Sequence, residues 1–599
     1  MKLPTLRIAV PPTASLALGL LATPLVAQDL APRTPVDLAP LVTGTSGAPS
    51  VALSTDAACV AWAQFEFGNG EVWSARSNGR GVNWQAPVRV DTDITGATKI
   101  TNPYSVQRGD STVWTFWLDS RSSATTEDVR FNVSNDDGAS FAPLDAAIPD
   151  GYGGLGDVRA FRPAIVSSTS GDAVLVVMRV APAGVFDEEL FVTRSTDGGA
   201  TWSTPLRLAG DSGQGHDVDQ FDLAVDGDTV HLVWEDDSAN GAGRYSTYHA
   251  RSTDGGVTWS APTALDAATD PTDAGNSDAP GDNGLRVRSD GAQVAVAWLE
   301  ERTHPDNEEV RLALSTNSGQ SFAADFHVGA GDPNTVDVDY LDLWMVNDQL
   351  LVAFTDNRAS GGTLDGLFVW RRHFNGSQST EVGLSNAAGG AFPRFCGAGD
   401  QVALTWHTDN LRQSLIGRIS ENAGATWLPR TVLYDSLGVN DVDNATACFD
   451  AGYDNLLAAF LADVGPVGEN RVLVSGVRPP TIVPLGFDTG SFYVGFQGLN
   501  LIEDDDQLFC VVVALSQAEG AFLLPDTRDT GLAYDVFTSA GLTLLPSLLA
   551  PVNLTGNAST PLLVNNLPPG LTFQAVGVTL DALGQTQRVT DVATVVVGP

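Results

Sequence analysis

The stretch RSTDGGATW (Arg194–Trp202) returns 57 positions later as RSTDGGVTW (Arg251–Trp259), with eight of nine residues unchanged. Its core, Ser-x-Asp-x-Gly-x-Thr-Trp, recurs as SNDDGASF (Ser134–Phe141), and with Asn for Asp as STNSGQSF (Ser315–Phe322) and SENAGATW (Ser420–Trp427). A worn copy, SNGRGVNW, occupies Ser77–Trp84. Copies start at 77, 134, 195, 252, 315 and 420, so the gaps are 57, 61, 57, 63 and 105. The last gap is two periods, and FVWRRHFNGSQS (Phe368–Ser379) stands where a degenerate copy belongs. A period of this size marks a repeat architecture, and six copies of one motif argue for a structural part, since a reaction needs one site.

Each copy sits in the same run of strand-like pieces. FDLAVDGDTVHLVWEDD reads as two alternating strands joined at Asp226-Gly227-Asp228, RYSTYHARS as a third, and WSAPTALD, after the octapeptide turn, as a fourth. GAQVAVAWLEE, NDQLLVAFTDNR and GDQVALTWHTD repeat the second strand and its preceding turn. Four antiparallel strands per 50–60 residues are the content of a β-propeller blade, and ring closure removes most exposed sheet edges. In the octapeptide the Asp or Asn oxygen can accept backbone N–H groups two residues on, the Gly takes positive φ, and the aromatic supplies an apolar plate.

Seven sets have all four strands. An eighth, NATACFDAGYDNLLAAFLAD with RVLVSGVRP, has only three. The missing strand is predicted at the other end of the chain, in TPVDLAPLV (Thr34–Val42), which would close the ring. Eight blades are expected over residues 34–479, with seven the alternative. Beyond Pro479-Pro480 the repeat stops, and non-periodic strand runs over 482–599 predict a C-terminal β-sandwich.

The first 27 residues read as a secretory signal: basic Lys2 and Arg7, an apolar run Ala14–Val26, and a small residue at Ala27. That run is short for a membrane span and no later segment qualifies, so an exported, soluble chain is expected. The 599 residues carry a formal charge of −40, with lysine only at positions 2 and 99. Nucleic acid and anionic membranes repel such a surface. No HExxH, GxSxG or phosphate-binding glycine loop is present, which sets aside zinc proteases, serine hydrolases and nucleotide enzymes. Cys59, Cys396, Cys448 and Cys510 show no CxxC spacing. Cys396 and Cys448 fall in first strands of adjacent blades, where a disulfide is expected.

The octapeptide resembles the Asp-box, or bacterial neuraminidase repeat, of sialidases and their many non-sialidase relatives, over about Val36–Val477. In that family the boxes lie on the face away from the catalytic centre, and the resemblance specifies architecture more than activity. A working member uses an arginine triad for the sugar carboxylate, a Tyr–Glu nucleophile pair and an Asp acid/base. Its first arginine lies in an Arg-Ile-Pro motif, which this chain lacks. The nearest substitutes are Arg162 in FRP and Arg394 in FPRF, with Tyr340 the best-placed tyrosine.

Two further patterns point at the channel face. HDVDQFDL (Asp217, Asp219, Asp222), VDVDYLDL (Asp337, Asp339, Asp342) and NDVDNATA (Asp441, Asp443) open three alternate blades. In register these carboxylates would crowd the channel mouth, and an oxygen-rich cluster suits Ca²⁺ or Mg²⁺. An acid two residues before an Arg follows the second strand in WLDSR (Asp119, Arg121), WLEER (Glu300, Arg302) and FTDNR (Asp356, Arg358), and WEDD keeps the acids Glu235 and Asp236. A local ion pair shaping each loop is expected there. The functional expectation is an exported bacterial, monomeric, non-catalytic propeller binding a glycan, peptide, cation or cell-surface ligand; the alternative is a glycosidase acting on sialic-acid-like or other acidic sugars, and a propeller lyase or another polysaccharide enzyme is the third option.

Overall fold

A computed structural model describes most of residues 45–478 apart from loops such as 267–283, the short N-terminal strands at 31–32 and 36–37, and backbone strands between 481 and 596. The expected leader at 1–27 lies outside the described residues. No helix among the described residues is long and apolar enough to cross a membrane.

The chain divides into a large unit, 30–481 with 500–503, and a second made chiefly of 482–499 and 504–599. The large unit is an eight-bladed propeller. Blade 1 is built on Ser50–Leu53, Ala57–Glu66, Asn69–Asn78 and Val88–Arg89. Blades 2 to 7 start at Ile100, Gly156, Val218, Leu285, Val338 and Ala391, each a four-stranded antiparallel sheet in chain order. Blade 8 has three strands from its own segment, Val442–Asp450, Asn455–Asp463 and Asn470–Arg478. Its fourth comes from the N-terminus: Val36 pairs with Val474, Asp37 with Leu473, and the Leu38 amide donates to the Val472 carbonyl at 3.0 Å. Leu38 is 3% exposed in a core of Trp62, Leu457, Leu461 and Val472 that joins blades 8 and 1. The ring therefore closes through the predicted N-terminal strand.

The second strand of a blade packs on both faces, so apolar/polar alternation disappears. Val113–Asp119 and Gln349–Asp356 are buried at every position. Each second strand carries a large apolar anchor at an equivalent position: Trp62, Trp117, Met178, Trp234, Trp298, Phe354, Trp406 and Phe460, all 2% exposed or less. The hairpins feeding these strands are tight. Val346 pairs with Gln349 across Asn347-Asp348, both at positive φ (44° and 61°), as a two-residue turn matching strand twist requires.

The octapeptide turns use more of the motif than its Asp. Ser195 Oγ accepts the Gly199 amide (2.8 Å) and donates to Asp197 Oδ1 (2.8 Å). Asp197 in turn accepts the amide and hydroxyl of Thr201, four residues on rather than two (2.8 and 2.6 Å). The Ser Oγ–Gly amide bond recurs from Ser134, Ser252, Ser315 and Ser420, while in the two Asn copies the Nδ2 of Asn317 or Asn422 donates to the hydroxyl of Ser321 or Thr426. The bonds to Asp197 pull its carboxyl down to about 2, the Thr201 hydroxyl contributing most. Gly199 sits at φ 92°, where a Cβ would lie 2.5 Å from Phe131 of the preceding blade, so the turn is also pressed onto its neighbour.

Among its described residues the second unit has two antiparallel sheets. One includes Tyr493–Leu499 paired with Ala558–Leu563; the other centres on Leu508–Ala514 paired with Thr572–Leu580.

Candidate functional site

First strands of neighbouring blades lie side by side around the axis with no ladder between them, so side chains must satisfy their edges. Counting back through each hairpin from the second-strand anchor identifies one equivalent position per blade. It is the residue opposite the one preceding the anchor: Ser50, Tyr104, Arg162, Asp222, Arg286, Asp342, Arg394 and Thr446 in blades 1 to 8. Around the ring, cation and anion alternate through blades 3 to 7.

Four of these residues stitch to the next blade. Ser50 Oγ accepts the Ser105 amide (2.9 Å), Asp222 Oδ2 the Val287 amide (3.0 Å), and Asp342 Oδ2 the Phe395 amide (2.6 Å). Thr446 Oγ1 donates to the Pro49 carbonyl (2.7 Å), crossing from blade 8 to blade 1. Blade 5 supplies the counter-charge. Arg286 Nε meets Asp342 Oδ1 at 3.1 Å, both side chains at 7% exposure or less, and Arg288 meets Asp222 at 3.1 Å and Asp342 at 3.5 Å. Arg286 and Arg288 escaped the sequence reading, although the hairpin register at Asp290–Gln293 would have located them.

Above this girdle, six first strands are bulged: register shifts fall at 101–104, 158–160, 218–221, 338–340, 391–394 and 443–446. A bulge inserts an unpaired residue and re-aims its side chain. This disperses the aspartates expected to hold a cation. Asp217 accepts the Glu188 amide of blade 3 (3.0 Å) and Asp337 the Glu308 amide of blade 5 (2.9 Å); Asp157, not foreseen, does the same with Glu127 (2.9 Å). Burial, then the neighbouring carboxylates Asp237 and Asp187, raise Asp217; burial, then Asp339, raises Asp337. Asp219, in a bulge, pairs with Arg179 at 3.0 Å, and Asp339, also in a bulge, is exposed. Asp441 and the Asp443 side chain lie outside the described residues. Among the described residues no group of three or more His, Cys, Asp or Glu gathers as metal ligands. Of the described aspartates, Asp217 and Asp337 turn to the backbone of the preceding blade and Asp219 to Arg179.

Arg162 and Arg394 stand in blades 3 and 7, on opposite sides of the ring, and are not brought together. The Arg162 guanidinium lies 5.7 Å from the Tyr104 ring centre. Arg394 donates to the Pro393 carbonyl (3.1 Å). Tyr340 of blade 6 does approach blade 7: its ring is 4.4 Å from Phe392, which is 5.6 Å from His407. His407 is 4% exposed, and burial, then Arg394, push its imidazole down to about 4. A tyrosine–glutamate hydrogen bond, Tyr152 to Glu189, lies away from the girdle on blade 3, with Glu189 buried and held also by Arg207 at 2.8 Å. The expected Cys396–Cys448 disulfide is not formed. Cys396 is a buried free thiol, raised by burial and by Asp342 beside it, and the Cys448 side chain lies outside the described residues.

Two of the three acid–Arg phrases form the local clasps expected of them. Asp119 accepts the Trp117 indole (3.0 Å) and the Arg121 amide (2.8 Å) and pairs with the Arg121 guanidinium, which reaches on to Asp145 at 3.1 Å. Asp356 and Arg358 repeat this, with Glu381 at 2.7 Å from Arg358. In blade 5 Glu300 caps the Trp298 indole (2.9 Å), while the Arg302 side chain lies outside the described residues. These acids are buried beneath their loops and are not presented to a ligand.

No protein-family model and no curated protein matches the chain. Solved structures do. The polysaccharide lyase Uly1 is 11% identical over 73% of this chain and 90% of its own, with a TM-score of 0.41. The Trypanosoma rangeli sialidase in complex with the inhibitor DANA is 11% identical over 75% and 89%, TM-score 0.34. The Penicillium chrysogenum α-L-arabinanase complexed with arabinobiose is 12% identical over 56% and 98%, TM-score 0.34.

Proposed function

We propose that this is an exported, non-catalytic binding propeller that holds a glycan or other cell-surface ligand at the bulged channel mouth. The observation that carries this reading is the commitment of the channel cations. Arg286 and Arg288 are held by Asp222 and Asp342, and Arg162 and Arg394 stand four blades apart. A catalytic set for an acidic sugar needs several cations converging on one carboxylate with a tyrosine–carboxylate pair beside them. A binding surface needs only a shaped, partly apolar mouth. The second reading, a sialidase or related glycosidase for acidic sugars, draws on Arg162, Arg286 and Arg394 sharing one level of the channel.

The experiment that separates them is turnover of fluorogenic glycosides, a sialoside first, by folded mature protein in calcium-containing buffer. The binding reading expects no release above a heat-denatured control. Release that disappears in Arg162→Ala or Arg394→Ala overturns it in favour of the glycosidase.

A further inference from the structure

The strongest anomaly at the channel mouth is Phe392. It has φ 53°, a region that bulky non-glycine residues avoid because Cβ meets the backbone, and it precedes Pro393. Blade 2 makes the same bulge with Asn102 (φ 51°) before Pro103. Asn tolerates that conformation through its short polar side chain. Phe392 and Asn102 are equivalent by register, each two residues before the girdle position, Arg394 or Tyr104. The same geometric task is thus met by a suitable residue in one blade and by an unsuitable one in the other. Strain kept where the fold offers a relaxed alternative points to a role for the side chain itself.

What surrounds Phe392 indicates that role. Its ring is half-buried and meets the half-buried Tyr340, 4.4 Å away at 44°, so two aromatic rings from adjacent blades share the mouth. Behind them lies His407, whose Nε2 is buried and has no hydrogen-bond partner. A backbone hydrogen bond involving Val442 engages the same imidazole. An unmet polar atom under a strained aromatic is costly twice over, and a ligand bearing both an apolar face and hydroxyl groups would answer both features.

We propose that Tyr340 and Phe392, backed by His407, form a saccharide-stacking subsite: the C–H face of a pyranose unit lies on the two rings, and a hydroxyl is offered to the imidazole as the Phe392 side chain shifts. The proposal rests on the binding reading above and names its ligand class, a hexopyranose unit of an oligosaccharide. Arg394, at the base of the subsite, favours a carboxylated unit over a neutral one.

The test is isothermal titration of the full chain with neutral and uronic-acid oligosaccharides, comparing wild type with Tyr340→Ala, Phe392→Gly and Phe392→Asn. Glycine and asparagine relax φ, so both Phe392 variants are expected to keep or raise the melting temperature while weakening binding at least tenfold. Tyr340→Ala is expected to weaken it similarly. If wild type binds an oligosaccharide and the three variants bind equally well, the subsite is overturned and the binding reading stands. If both Phe392 variants melt well below wild type, the ring is a structural plug and the subsite is overturned. If wild type binds no oligosaccharide of either class at millimolar concentration, the glycan reading falls and the subsite with it.

Discussion

Replacing Asp342 with Ala should damage the ring more than its single side chain suggests. The carboxylate is 2% exposed: it accepts the Phe395 amide of blade 7 at 2.6 Å, pairs with Arg286 of blade 5 at 3.1 Å and lies 3.5 Å from Arg288 of the same blade. One residue of blade 6 thereby joins the blades on either side. Its loss leaves a guanidinium, itself 7% exposed, without a buried counter-ion. Breaking a buried pair from one side costs about 3–5 kcal/mol, most of it the stranded charge. For a unit of this size the urea m-value is about 3 kcal/mol/M or more, so the unfolding midpoint should fall by about 1 M. Tryptophan fluorescence reports it, because the anchors Trp298 and Trp406 sit in the flanking blades. Asp342→Leu combined with Arg286→Met removes both charges and should recover half or more of the loss. The Arg108–Asp172 pair, with side chains 36% and 32% exposed, is the comparator, and Asp172→Ala should cost less than about 1 kcal/mol. A shift in Asp342→Ala no larger than in Asp172→Ala would refute the girdle argument.

Three other outcomes follow from the same geometry. Gly199→Ala, with φ 92° and a Cβ 2.5 Å from Phe131, should destabilise by about 1–3 kcal/mol, whereas Gly198→Ala, φ 73° with nothing within 4 Å, should cost about 1 kcal/mol; urea midpoints of the two variants decide it. His231 and His249, stacked with nitrogens 3.0 Å apart, are pushed down to about 4 and about 3, chiefly by burial. Their folded values lie below the unfolded one, so their contribution is complete above about pH 6.5 and is lost as pH falls toward 4; the slope of stability against pH in that window should be shallower in His231→Gln. Deleting residues 28–38, which removes the strand at Val36–Asp37 and Leu38, should expose the edge of Asn470–Arg478 and lower the melting temperature, read by calorimetry.

The blades were legible because the octapeptide fixes a turn and the second strands read as apolar runs, both visible as a period. The N-terminal closing strand was legible for a related reason: blade 8 lacked a fourth strand, and Thr34–Val42 resembled the fourth strands of the other blades. The mouth was less legible. HDVDQFDL looks like one acidic motif, yet its three aspartates part company, Asp217 to the blade 3 backbone, Asp219 to Arg179, and Asp222 to the blade 5 strand. A bulge of one or two residues produces that separation, and nothing in composition announces it. Phe392 was quoted only as the neighbour of Arg394; that it carries positive φ is a backbone fact that FPRF does not state. Asp342 was read as part of a channel cluster when its partners are an amide and an arginine of other blades, contacts set by ring closure and not by local sequence.

The central claim is that the channel mouth binds a glycan and leaves it intact. Its most direct test is mass spectrometry of an oligosaccharide mixture, neutral and acidic, incubated with the folded full chain and recovered from the protein-bound fraction. The account predicts a retained subset whose masses equal those supplied. Retained or released sugars shortened by one residue, or dehydrated at a new chain end, would contradict it and make this propeller an enzyme.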